Sequence, residues 1–136
     1  IVLSKDFLLQ KQVESLVEKH DFQGAIIHNL DDLEMIQVDQ HLIHQNGSVE
    51  LNPFSEEGIL IVLPFHAHTT IQRAMLLADY TGNLSFFVSN DEGKTYIPIA
   101  PGETKDFTSS GQVLSVKAVF GKGTLSSALH EIAILF

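Results

Sequence analysis

The chain has 136 residues, 44% of them hydrophobic, and a formal net charge of −9 from 17 acidic and 8 basic residues. This length and apolar content support one folded domain and exclude a disordered chain, while the acidic balance excludes phosphate-directed nucleic-acid binding and bare attraction to anionic lipid. The chain has no Cys, which excludes disulfides, thiolate metal sites and Cys nucleophiles.

Residues 5–20 are expected to form a helix, capped by Ser4 or Asp6, with Leu9, Val13, Leu16 and Val17 on one face. A helix this short needs a partner for its apolar stripe. That partner is either the β domain of its own chain or the same helix in neighbouring subunits. Residues 1–22 are therefore read as a helical segment and residues 23–136 as a β-sandwich domain. The chain begins without Met, as a trimmed or excised chain would, and its start has no basic segment before apolar residues, so no secretory signal is visible.

From Gly24 onward the hydrophobic period changes to two. Residues 25–28 form a short apolar run, and polar–apolar alternation surrounds Ile36 and Val38. Asn46 and Gly47 predict a two-residue turn, with residues 48–51 continuing a hairpin beyond it. Pro53 and residues 55–58 predict a loop. Residues 59–64 read as a strand buried on both faces; its apolar run is far short of the roughly 18–20 residues that would span a membrane. Residues 74–78 have good helix propensity, yet residues 70–79 are read as a strand, because residues 80–83 and the strand after them make a meander. Residues 113–120 put Leu114, Val116, Ala118 and Phe120 on one face, and residues 130–136 do the same with Ile132, Ile134 and Phe136. Between these two strands, Gly121, Lys122, Gly123 and Thr124 lack the flanks of a phosphate loop and predict a hairpin turn.

The most informative stretch is residues 89–96, Ser-Asn-Asp-Glu-Gly-Lys-Thr-Tyr, between a strand at 84–88 and Ile97, Pro98 and Ile99. It resembles the Asp-box hairpin of sialidases and many other extracellular β proteins. Tyr96 stands where that motif usually has Trp. Asp91 can accept backbone N–H groups, and Gly93 supplies a conformation that other residues reach only with strain. Turn chemistry thus accounts for the octet; Asp91, Glu92 and Tyr96 are also its candidate ligand-binding residues. One copy argues against a propeller, which needs several blades.

Candidate metal ligands are Asp31 and Asp32 in an acidic loop, and His66 with His68, which would share a face on a strand. Acidic loops at one end of a sandwich can gather calcium, although the spacing matches no EF-hand. No Gly-x-Ser-x-Gly elbow or other nucleophile with its base stands out, so no catalytic residue is assigned and no further cofactor is expected. The fold expected is mainly β: an antiparallel jelly-roll-type β-sandwich with one N-terminal α-helix.

Residues 84–136 resemble a module of tailed-bacteriophage and prophage structural proteins, a jelly-roll sandwich related to galactose-binding and discoidin-like domains. The resemblance lies in the order of a strand, the 89–96 hairpin, a turn at 101–107 into a short strand, the strand at 112–118 and an Ile-rich closing strand. It implies a non-enzymatic tail or baseplate accessory, made in the bacterial cytoplasm and found in the virion or outside the cell. Such a module would be a homo-oligomer, contact other virion proteins and bind host-surface carbohydrate. A second reading is a C2-like sandwich whose acidic loops bind calcium and then membrane lipid, linked to lysis. A third, a small hydrolase, lacks a visible acid/base pair.

Overall fold

The computed structural model describes residues 5–45 and 47–136, with side chains from residue 10 onward. Among these residues there is one helix, α1 (Lys5–His20), followed by eleven strands. In chain order the strands are β1 (Ala25–His28), β2 (Ile36–Val38), β3 (Leu42–Gln45), β4 (Ser48–Leu51), β5 (Glu57–His66), β6 (Arg73–Thr81), β7 (Asn83–Ser89), β8 (Ile97–Ile99), β9 (Thr104–Asp106), β10 (Val113–Gly121) and β11 (Ala128–Leu135). One sheet has the order β3-β4-β11-β6-β9, with β1 also paired to β11; the other has the order β2-β5-β10-β7-β8. Every pairing between strands is antiparallel. The molecule is a jelly-roll-type β-sandwich with one N-terminal helix, as expected.

The two inner faces make the core. Leu60, Val62, Phe86, Val88, Leu114, Val116, Ala118 and Phe120 of the five-stranded sheet meet Val49, Ala74, Leu76, Ile132, Ile134 and Phe136 from the other. The alternation of β10 puts Leu114, Val116, Ala118 and Phe120 here, because side chains two apart share a face; in β11 an irregularity between Leu129 and Glu131 turns Leu129, then Ile132 and Ile134, inward.

The stripe of α1 lies on the outer face of the six-stranded sheet. Val13 is buried, and Leu16 and Val17 pack with it against Met75, Leu77, Ala133, Leu135, Ala25 and Ile27. The helix partner is thus the chain's own β domain. The proposed cap Ser4 lies outside the described residues, as do the side chains of Asp6 and Leu9. Asn46 also lies outside them; Gln45 pairs with Ser48 where β3 meets β4, and Gly47 takes a φ of 74°.

Three expectations are corrected. The strand at 59–64 is buried on one face only: Gly58, Leu60 and Val62 point inward, while Ile59 and Ile61 are half-buried and Leu63 is exposed. The strands buried on both faces are β6 and β11, because only their sheet has a helix over its outer face. This also explains the unbroken apolar run at 74–78 that looked partly helical. The second correction concerns residues 80–83. They do not make a meander; β6 and β7 belong to different sheets. Gly82, at φ 82°, has Ser126 O and Ser127 Cα where a Cβ would stand, so the chain turns tightly between layers there. The third concerns residues 121–124. They do not close a hairpin but carry the chain from β10 in one sheet to β11 in the other.

Candidate functional site

The registers place the loops at two ends. Gly121 pairs with both Glu57 and Asn83, which puts loops 52–56 and 122–127 at one end. Val113 pairs with His66 and Ser115 with Ser89, which puts loops 67–72, 90–96 and 107–112 at the other.

At the second end the 89–96 octet is a hydrogen-bonded staple. Ser89, fully buried, uses its Oγ to accept the N–H groups of Asp91 at 3.2 Å and Gly93 at 3.0 Å, and donates to Asp91 Oδ1 at 2.5 Å. The same carboxylate oxygen accepts Thr95 N–H at 2.9 Å. The Ser89 hydroxyl and then the Thr95 N–H hold the Asp91 carboxyl below its ordinary value of 3.8. Glu92 takes a positive φ of 66° and donates its N–H to Val113 O. Tyr96 hydrogen-bonds Ser115 Oγ at 2.9 Å, and Ser115 donates to Val62 O at 3.1 Å. The Lys117 ammonium lies over the rings of Tyr96, at 4.7 Å, and Phe87, at 4.9 Å. The functional groups of Asp91 and Tyr96 are therefore engaged within the protein, while the Glu92 side chain is exposed.

Two outcomes follow from this staple. Ser89→Ala removes a buried acceptor and donor at once and is expected to cost about 2 kcal/mol; urea unfolding checks this, and an unchanged midpoint would show that the octet does not hold the loop. Because the folded carboxyl of Asp91 titrates below the unfolded one, its contribution is full above about pH 4 and is lost as pH falls through the folded value. Asp91→Asn is therefore expected to be less stable than the wild type at neutral pH and to converge with it in acid melts.

The candidate metal ligands sit apart from the octet in the chain. Asp31 and Asp32 occupy the β1–β2 loop, where Asn29 Oδ1 accepts Asp31 N–H and Asp32 Oδ1 accepts Glu34 N–H. His66 ends β5, and His68 lies beyond the strand. Among the described residues, no three His, Asp or Glu side chains gather to hold a metal ion.

The first end holds a feature that was not expected from the sequence. Phe54 is 94% exposed, although its loop is tightly fixed. Asn52 donates its N–H to His41 O at 2.8 Å, accepts Phe54 N–H on Oδ1 at 3.0 Å and accepts Ser55 N–H on its carbonyl at 2.9 Å. Ser55 Oγ contacts His41 Nδ1 at 3.1 Å. Lys122 donates its N–H to Glu56 O at 3.1 Å and brings Nζ to 3.4 Å from Glu56 Oε1. Its chain neighbours Asn52, Pro53 and Ser55 line a groove of about 280 Å³ together with Lys122, Thr124 and the exposed Leu125. Leaving a Phe in water forgoes about 1.5–3 kcal/mol of burial. In the sequence Phe54 stands among Asn52, Pro53 and Ser55, which mark a turn but do not tell whether its ring is covered.

No family profile matches the chain, and no curated protein matches it. Among solved structures it is similar to CpGH89CBM32-6 of Clostridium perfringens, at 12% identity and TM-score 0.37, over 80% of this chain and 98% of that one. It is similar to CBM35 from Paenibacillus barcinonensis at 15% identity and TM-score 0.37, over 82% and 92% of the two chains. A cupin-superfamily sugar phosphate isomerase from Silicibacter pomeroyi aligns at 12% identity and TM-score 0.25, over 77% and 74%. These identities are too low to carry residue roles across.

Proposed function

We propose that this protein is a non-enzymatic carbohydrate-recognition sandwich that meets its ligand at Phe54. The supporting observation is the 94% exposed ring on a fixed loop whose neighbours Asn52 and Ser55 line a groove with Lys122, Thr124 and Glu50. A sugar offers the complementary chemistry: an apolar C–H face to stack on the ring and a rim of hydroxyls for Asn52, Ser55 and Lys122. Glycan-array screening followed by calorimetry tests this. Phe54→Ala is expected to weaken binding tenfold or more, about 1.4 kcal/mol, at unchanged melting temperature because the ring buries almost nothing. Equal binding by the variant, or no glycan bound by the wild type, would refute it.

The setting that fits this role is a tailed-phage or prophage particle, with the chain as a symmetric tail or baseplate accessory contacting host-surface glycan. Its support is the order of elements in residues 84–136: a strand, the octet hairpin, a turn into a short strand, and the two long strands that close the sandwich. Light scattering is expected to give a multimer; a strict monomer would count against that setting while leaving the glycan reading intact.

A further inference from the structure

We infer that the cleft at the opposite end of the sandwich is a second ligand site, which takes a carboxylate-bearing saccharide on Arg73. Only the sugar framework of this ligand rests on the reading above; the residues are different and lie at the other end. The cleft encloses about 660 Å³ between the segment that follows α1 and the start of β6, and its lining includes Asp21, Gln23, Thr69, Thr70, Gln72 and Arg73.

Arg73 is held before any ligand arrives. Its guanidinium stacks on the buried Phe22 ring, 4.5 Å from the centroid, and donates one hydrogen bond to His20 O at the end of α1. Gln23 Nε2 donates to Thr70 O at 3.0 Å and ties the two walls together. The ion pairs among the described residues are Lys105–Glu103 and Lys122–Glu56, so Arg73 faces the cleft without a protein carboxylate bound to it. What distinguishes this cation is its setting: its guanidinium is stacked on Phe22 and lines a cleft that also holds Asp21.

The planar fork of Arg matches the two oxygens of a carboxylate, and stacking removes the entropy that orienting it would otherwise cost. The Thr69 and Thr70 hydroxyls and the Gln23 and Gln72 amides supply neutral partners for sugar hydroxyls. Asp21 also lines the cleft; it can accept from a hydroxyl, and it disfavours a polyanion with several phosphates.

The test compares a galacturonic acid trimer and sialyllactose with the same sugars carrying carboxyl groups reduced to alcohols, and with inorganic phosphate, by calorimetry at constant ionic strength. At least one acidic sugar is expected to bind tenfold or more tightly than its reduced form and than phosphate. Because Arg73 also anchors α1, the informative variant is Gln72→Glu, which places a carboxylate in the cleft through an exposed side chain. It is expected to lose tenfold or more in affinity for the acidic sugar with an unchanged melt, while Phe54→Ala keeps that affinity. Binding of neither acidic sugar, equal binding of the reduced forms, phosphate binding as tightly, or loss of binding in Phe54→Ala alone would overturn the assignment.

Discussion

Gly111→Ala is expected to destabilise the fold by about 3 kcal/mol. A Cβ at this position would stand 1.9 Å from Asn90 O and 2.8 Å from Asn90 C, both backbone atoms that a rotamer change cannot move. Neither side is free to retreat. Gly111 accepts Ile71 N–H on its carbonyl at 2.7 Å, and Asn90, itself 2% exposed, donates from Nδ2 to Ile71 O and Ser109 O, both at 3.0 Å. Its Oδ1 accepts from Ser109 Oγ at 3.1 Å, and its carbonyl accepts Val113 N–H at 3.3 Å. Asn90 thus ties loops 67–72, 90–96 and 107–112 into one knot. Asn90→Ala leaves two carbonyls without their donor and is expected to cost about 2–4 kcal/mol. Urea unfolding measures both changes; a Gly111→Ala variant with the wild-type midpoint would show that this end yields easily.

Val13→Asp is the other large effect, expected at about 3 kcal/mol or more, combining lost apolar burial with an uncompensated carboxylate. Val13 is 3% exposed against Met75, Leu77, Ala133 and Leu135. Since α1 covers its own chain's sheet, the loss is expected to be the same at every protein concentration. A loss that changed on dilution would assign the stripe to a neighbouring subunit instead.

Legibility followed the range of the interaction. The bounds of α1 and the strand character of β10 and β11 were readable because each repeats a local period, whereas β6 carries an unbroken apolar run whose period says nothing. The octet was readable as a turn because Ser89, Asp91, Gly93 and Thr95 bond to one another within a few residues. The exposure of Phe54 was not legible because exposure is not a property of a residue type: the same turn sequence fits a solvated Phe and one tucked beneath a neighbouring loop. The cleft at Arg73 was out of reach altogether, since Phe22 and Arg73 lie 51 positions apart and meet only once α1 has docked.

By itself the amino-acid order determined the helix, the alternating strands, the turns at Gly47 and at the octet, and the acidic, cysteine-free character that narrows the chemistry. These are consequences of backbone preference and side-chain period, which act over a few residues. Only the tertiary structure decided which sheet each strand joins, that β11 rather than β5 is buried on both faces, and that residues 80–83 and 121–124 pass between layers. The physical reason is that an apolar strand face records that it must be covered but not by what. Long-range pairing and the docking of α1 supply the cover, and the same packing leaves Phe54 at one end and Arg73 at the other open to solvent.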